Sequence, residues 1–177
     1  MKTPVETLAA NLQTSIEAKV DFLANSEQHS IFEAAVSEVI LRYQKGGRLY
    51  IAGNGGSAAD AQHLAAEFVS KLARDRDALP AEALTVDSSI LTAIGNDYGY
   101  DKVFSRQILG KATEKDIFLG ITTSGNSPNI LNALDACKEK GIPSIVFTGH
   151  EGGETKGKAD YCVIAAGHLT STTQEIH

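Results

Sequence analysis

His63 and Glu67 stand four residues apart in a run of strong helix formers, AADAQHLAAEF, so both side chains leave one face of a helix together. A carboxylate beside an imidazole can move a proton or ligate a metal, although two such residues alone are equally a solvated helix pair. Just before them, Gly53-Asn54-Gly55-Gly56-Ser57 supplies a turn in which backbone can approach a ligand without interference from Cβ. A second stretch packs Thr122, Thr123, Ser124, Asn126 and Ser127 into six positions. Hydroxyls and free N–H groups at such a turn suit a phosphate without any formal positive charge, whereas an ordinary helix cap would use one or two of them. The first turn is neither G-x-G-x-x-G nor a P-loop, since it lacks the Lys-Ser/Thr ending.

The surrounding pattern places both turns at the same kind of junction. Arg48 to Gly53 reads as a buried strand, followed by the glycine turn and a helix from Ala58; Ile117 to Ile121 reads as another strand, followed by the hydroxyl-rich loop and a helix from Ile130 to Lys140. A strand, a turn and a helix N-terminus form an anion site, because unpaired N–H groups and the positive end of the helix dipole converge there. Further strands are predicted at 81–86, 143–148 and 161–165, with a Gly-rich connector over 150–158. Strands that are apolar on both faces and alternate with helices imply a parallel sheet between helical layers, with ligands at the carboxyl ends of the strands.

Two helices precede the first strand. Leu8, Leu12, Ile16, Val20 and Leu23 make a narrow stripe over 5–23, and a second helix runs from about 30 to 45 and stops at Gly46-Gly47. The first stripe suits an oligomer interface. Between 71 and 77, Lys71, Arg74 and Arg76 alternate with acids and read as a solvated helix end and loop. A helix starting at Ser88-Ser89 is expected to run through Ile94 and break at 96–100, which leaves Asp97 either as a cap or facing a ligand. The tail, TSTTQEIH, reads as a helix begun by a Thr/Ser cap that stops in mid-pattern.

The chain of 177 residues is long enough for one domain with a sizeable core, and 42% hydrophobic with 21% charged residues is the balance of a globular protein. A net charge of -6 with no basic run argues against nucleic-acid backbone as a partner, but does not exclude a small anion held by local dipoles. Cys137 and Cys162 fall in apolar patterns without metal-type spacing and read as reduced core thiols, which, with no signal peptide or membrane-length apolar run, points to the cytoplasm.

Together, GNGGSAADAQH-x3-E, ALTVD, LTAIGNDYGY-x2-VFSRQ, GITTSGNSPNI, TG-x2-GG and QEIH resemble the phosphoheptose isomerase family of sugar isomerase (SIS) domain proteins, from the N-terminal helices to the last residue. The resemblance implies one SIS domain over 1–177, a flavodoxin-like three-layer α/β/α sandwich preceded by two helices. It also implies a homotetramer with active sites between subunits. The implied reaction converts sedoheptulose 7-phosphate to D-glycero-D-manno-heptose 7-phosphate, the first step towards the ADP-heptose of lipopolysaccharide core. Carried over residue by residue, Glu67 would be the catalytic base. Ser57, Thr122, Thr123, Ser124 and Ser127 would contact substrate and phosphate, and Asn54 and Asp97 would face the sugar. Gly55, Gly56, Asn96, Lys71 and Gln174 complete the substrate set. His63, Glu67 and Gln174 match positions that hold one zinc ion per subunit in some members.

Three departures accompany the match. The family's second catalytic histidine, also its remaining zinc ligand, lies eight residues after the glutamine matching Gln174, which is five places past His177. The resemblance therefore implies a C-terminal helix that is cut short. Lys71 replaces an arginine that contacts substrate, and cannot reproduce its bidentate fork. Thr172 stands at the arginine of the family's T-x-R-I-Q-E tail. The rival readings are a non-enzymatic relative, either a DnaA-binding regulator of replication initiation (DiaA-like), whose position matching Glu67 is not a glutamate, or a sugar-phosphate sensor. The presence of both His63 and Glu67 favours the enzyme.

Overall fold

The computed structural model describes residues 2–167 and 169–177. Five strands, β1 (Leu49–Gly53), β2 (Ala81–Ala83), β3 (Ile117–Thr122), β4 (Ser144–Thr148) and β5 (Tyr161–Ile164), form one sheet in the order β2-β1-β3-β4-β5, every pair parallel. β1 and β3 are buried along their whole length, as their unbroken apolar runs predict. Successive side chains feed opposite faces. Tyr50 and Ala52 join one core cluster with Phe104, Phe118, Ile130 and Leu134, while Leu49 and Ile51 join the other with Ala61, Ala65, Leu119 and Ile121. The result is the expected sheet between two helical layers.

Helices α1 (Pro4–Ala24) and α2 (Ser26–Gln44) precede the sheet. α1 starts at a reciprocal capping box in which the Thr3 N–H donates to Glu6 and the Glu6 N–H to the Thr3 hydroxyl, with Pro4 at the first helical position. α2 begins four residues earlier than its apolar pattern suggests, because the Asn25 side chain accepts from the Gln28 N–H. The α1 stripe is open to solvent: Val5 is 73% and Leu23 70% exposed, and α1 buries only Ser15 and Ala18.

The later helices are α3 (Gly56–Val69), α4 (Ser88–Tyr98), α5 (Ser105–Lys111), α6 (Pro128–Lys140) and α7 (Thr170–Ile176). Four expectations are corrected. β2 ends at Ala83 rather than at residue 86, since the chain must turn for Asp87 to cap α4 through the Ile90 N–H. α4 does not stop at Ile94: Asn96 and Asp97 lie in its last turn, and the break comes at Gly99, whose φ of 93° ends the helix. Asp97 is therefore not a cap. α7 begins after Leu169 without any side-chain cap, and Thr172 and Thr173 are buried instead. Finally, the connector of residues 150–157 is a 3-10 segment with Thr155 fully buried, braced against the loop after β3.

Candidate functional site

Because β1 and β3 are neighbours and their following helices pack on opposite faces, a crevice opens at the carboxyl ends of these two strands. Gly53 pairs with Ile121 in register, so the glycine turn and the hydroxyl loop leave the sheet side by side. Gly53 is required by close packing, for a Cβ there would fall 2.4 Å from the Ser57 carbonyl oxygen. Neither helix that starts here has a side-chain cap: Gly55 precedes α3 and Ser127 precedes α6, and neither caps through a side-chain hydrogen bond. The first turn of α3 thus keeps N–H groups for a ligand, whereas that of α6 keeps only the Asn129 N–H, because Pro128 has none and the Ile130 N–H donates to Ser127 O at 3.0 Å.

The hydroxyl loop is held ready. Thr122 is 4% exposed, and its Oγ1 lies 3.0 Å from Ser127 Oγ and 3.5 Å from Ser124 Oγ, three oxygens in one patch. The Thr123 carbonyl accepts from the Gly149 N–H at 3.2 Å, which ties the loop to the end of β4. Asn126 turns away: its Oδ1 accepts from the Glu154 N–H in the 3-10 segment. Gly125, at φ +69°, packs so tightly on that segment that an added Cβ would lie 2.3 Å from Gly152 O.

Asn54 joins the two turns. Its Nδ2 donates to Asn129 Oδ1 at 2.9 Å, Asn129 Nδ2 donates back to Asn54 Oδ1 at 2.8 Å, and the Tyr100 hydroxyl donates to the same Oδ1 at 3.2 Å. Sequence reasoning passed over Asn129 and Tyr100. The available signal was a polar residue directly after the proline that opens α6, which is 3% exposed in the fold.

Further along α3, His63 Nε2 lies 3.2 Å from Glu67 Oε1, with the His63 side chain 73% exposed and that of Glu67 29%. The pair borders a cleft of about 370 Å³ lined also by Asp60, Phe68, Arg76 and His177. Asp60 Oδ2 and both ring nitrogens of His177 are buried without a hydrogen-bond partner among the described residues. Burial lowers the His177 pKa below the usual histidine range, against the opposing pulls of the nearby Thr148 backbone and of Asp60. Arg76 is exposed, as expected, yet its side chain is engaged. Its guanidinium donates to the carbonyls of Glu67 (2.8 Å) and Phe68 (2.9 Å) and so caps the C-terminus of α3. The largest cleft, about 610 Å³ near His150 and Lys156, is lined by none of the predicted site residues.

A SIS-domain family model matches residues 6–149. The phosphoheptose isomerase of Aneurinibacillus thermoaerophilus is 49% identical over 170 residues, covering 96% of this chain and 86% of that protein. The chain belongs to the phosphoheptose isomerase family of SIS-domain proteins. Its fold superposes on the solved phosphoheptose isomerases of Neisseria gonorrhoeae (38% identity, TM-score 0.90, covering 99% of this chain and 92% of that one) and Francisella tularensis (32%, TM-score 0.92, 99% and 93%).

The positions taken from the family divide into three groups. Asn54, Gly55, Gly56, Ser57, Thr122, Thr123, Ser124 and Ser127 lie in the two turns at the crevice, with Gln174 against the first: a Cβ on Gly56 would lie 2.4 Å from the Gln174 amide nitrogen. His63 and Glu67 form the second group, seven and eleven residues into α3, which is roughly 10 and 16 Å along its axis at the standard rise. Lys71, Asn96 and Asp97 are exposed: Lys71 is paired with Asp75 at 3.1 Å, and the Asn96 amide donates to Asp97 at 2.7 Å.

This separation decides how a zinc ion would fit. Zinc ligands must converge within about 2.0–2.3 Å of one ion. In one chain Gln174 sits at the start of α3 and does not line the cleft of His63 and Glu67. No group of three His, Cys, Asp or Glu side chains among the described residues is close enough to share a metal. Among the described residues, one chain brings His63 and Glu67 together but leaves Gln174 apart from them.

Proposed function

We propose that this chain is a ketose-aldose isomerase that converts sedoheptulose 7-phosphate to D-glycero-D-manno-heptose 7-phosphate on the route to ADP-heptose. The observation that carries the reading is the Glu67 carboxylate held by His63 at 3.2 Å, on the helix whose uncapped start borders the hydroxyl loop. In this reading the phosphoryl group sits among the Thr122, Ser124 and Ser127 hydroxyls and the Asn129 N–H at the start of α6, held by dipoles alone. Asn54 and Ser57 face the sugar. Glu67 removes a proton from C1 of the ketose, the electron pair forms the C1–C2 enediol, and the same proton returns to C2 to leave the C1 aldehyde. The His63 contact fixes which carboxylate oxygen is free to act. A second group must carry the hydroxyl proton between the two sugar oxygens.

The roughly 16 Å between the start of α3 and Glu67 exceeds the span from phosphoryl group to C1 that one seven-carbon sugar can bridge comfortably. The reading therefore includes an assembly, a homotetramer with sites between copies, in which Glu67 of one chain faces the loops of another. The exposed apolar stripe of α1 supports such packing. A zinc ion would likewise need Gln174 from a second copy, so no step here uses a metal. No helix among the described residues is long and apolar enough to cross a membrane, and two free buried thiols suit the cytoplasm.

The test is incubation of the full-length protein with sedoheptulose 7-phosphate, followed by proton NMR. New aldose anomeric signals are expected. Binding without conversion would place the chain among sugar-phosphate sensors.

A further inference from the structure

We propose that Asn129 is a positioning residue for substrate recognition: it fixes the Asn54 carboxamide so that Asn54 offers the sugar one N–H donor and no acceptor. The inference rests on the isomerase reading only for the identity of the ligand. Its basis is the hydrogen-bond capacity of a primary amide, two acceptor sites on the oxygen and two hydrogens on the nitrogen. Asn54 Oδ1 already receives two donors, Asn129 Nδ2 at 2.8 Å and the Tyr100 hydroxyl at 3.2 Å, which fills both lone pairs. Asn54 Nδ2 spends one hydrogen on Asn129 Oδ1 at 2.9 Å. One hydrogen is left. Turning Asn54 over alone would set NH₂ against NH₂ and oxygen against oxygen, so the reciprocal pair prevents Asn54 from turning independently of Asn129.

Asn129 is itself held fast. It occupies the second position of α6, directly after Pro128, and is 3% exposed, whereas Asn54 is only half-buried. The pair therefore ties a half-buried partner in the first loop to a buried one at the start of the second. It sits where Gly53 and Ile121 pair in register, at the crevice between β1 and β3. Tyr100, from the segment after α4, adds the third element. The chemistry this selects is an oxygen acceptor, the ketose carbonyl or a hydroxyl lone pair, placed opposite the remaining Asn54 N–H.

A double-mutant cycle separates positioning through Asn54 from a general structural role. Asn129→Ala is expected to lower kcat/KM for sedoheptulose 7-phosphate, and its affinity by calorimetry, on the order of tenfold, the size of one well-placed hydrogen bond lost. In an Asn54→Ala background the same substitution is expected to change neither further. Asn129→Asp, which keeps the shape but cannot donate to Asn54 Oδ1, is expected to behave like the alanine. Equal losses with and without Asn54, or an unaffected Asn129→Ala, would overturn the proposal. If Asn129→Ala fails to fold, Asn129→Asp carries the cycle. A wild-type protein that binds the ketose but does not convert it condemns the isomerase reading while the affinity cycle still judges Asn129. A wild-type protein that does neither overturns both.

Discussion

Replacing Gly125 with alanine tests whether the hydroxyl loop is held in shape by the 3-10 segment beneath it. The added Cβ would lie 2.3 Å from Gly152 O and 2.6 Å from Gly152 C, against an ordinary contact of about 3.5–4.0 Å. Both atoms are backbone, so the loop and the segment must part by about 1 Å. Overpacking of this kind costs about 1–3 kcal/mol. Parting also breaks the hydrogen bond from the Thr155 N–H to Gly125 O at 3.1 Å, worth about 1 kcal/mol. The left-handed backbone adds about 1–2 kcal/mol. Gly141 isolates that last contribution, having φ +66° against +69° at Gly125 and nothing within 4 Å of its added Cβ. Gly125→Ala is thus expected to destabilise by about 2–4 kcal/mol more than Gly141→Ala, roughly 10 °C in melting temperature for a chain of this size. Thermal melts by circular dichroism, with and without inorganic phosphate, read both the stability and the loop. Phosphate is expected to raise the melting temperature of Gly141→Ala as it does the wild type, and to lose that effect in Gly125→Ala. Equal destabilisation by the two variants, with phosphate protection intact, would show that the contact between loop and segment does not shape the site.

Glu67→Gln is expected to abolish turnover while leaving affinity for the sugar phosphate within a few-fold, as read by NMR and calorimetry; residual activity near wild type would exclude Glu67 as the base. Burial pushes the Cys137 thiol up to about 12 and raises that of Cys162, so both stay protonated at neutral pH. A thiol reagent at pH 8 is expected to label neither cysteine in the native protein and both in denaturant. Paired Leu12→Asp and Ile16→Asp changes on the exposed α1 stripe, where the two residues are 56% and 55% exposed, are expected to reduce the particle mass by light scattering, with far-ultraviolet dichroism unchanged. An unaltered mass would remove α1 from the interface.

Much of the architecture was legible in the sequence because burial on both faces leaves β1 and β3 no choice but near-continuous apolar runs. The two turns were legible for a related reason: only glycine tolerates the approach of Ser57 at Gly53, and five polar residues in six exceed what a helix cap uses. What escaped was decided by partners distant in sequence. Arg76 looked like any surface arginine until the fold brought the open carbonyls at the end of α3 beneath it. Asn54 and Asn129 are 75 residues apart, and no local pattern announces that their amides meet. The end of α4 was missed by a few residues, because Asn96 and Asp97 weaken a helix without stopping it, and Gly99 supplied the stop.

Neither of the turns proposed to hold the phosphoryl group, 53–57 and 122–127, contains a lysine or arginine, on a chain of net charge -6. An incoming dianion is therefore repelled at a distance and welcomed only at contact, the reverse of a basic pocket that steers its ligand inward. Ionic strength acts on the distant repulsion far more than on the short-range amide and hydroxyl contacts. Moderate salt is thus expected to quicken capture of the sugar phosphate, because it screens the repulsion and leaves the contacts at the site in place.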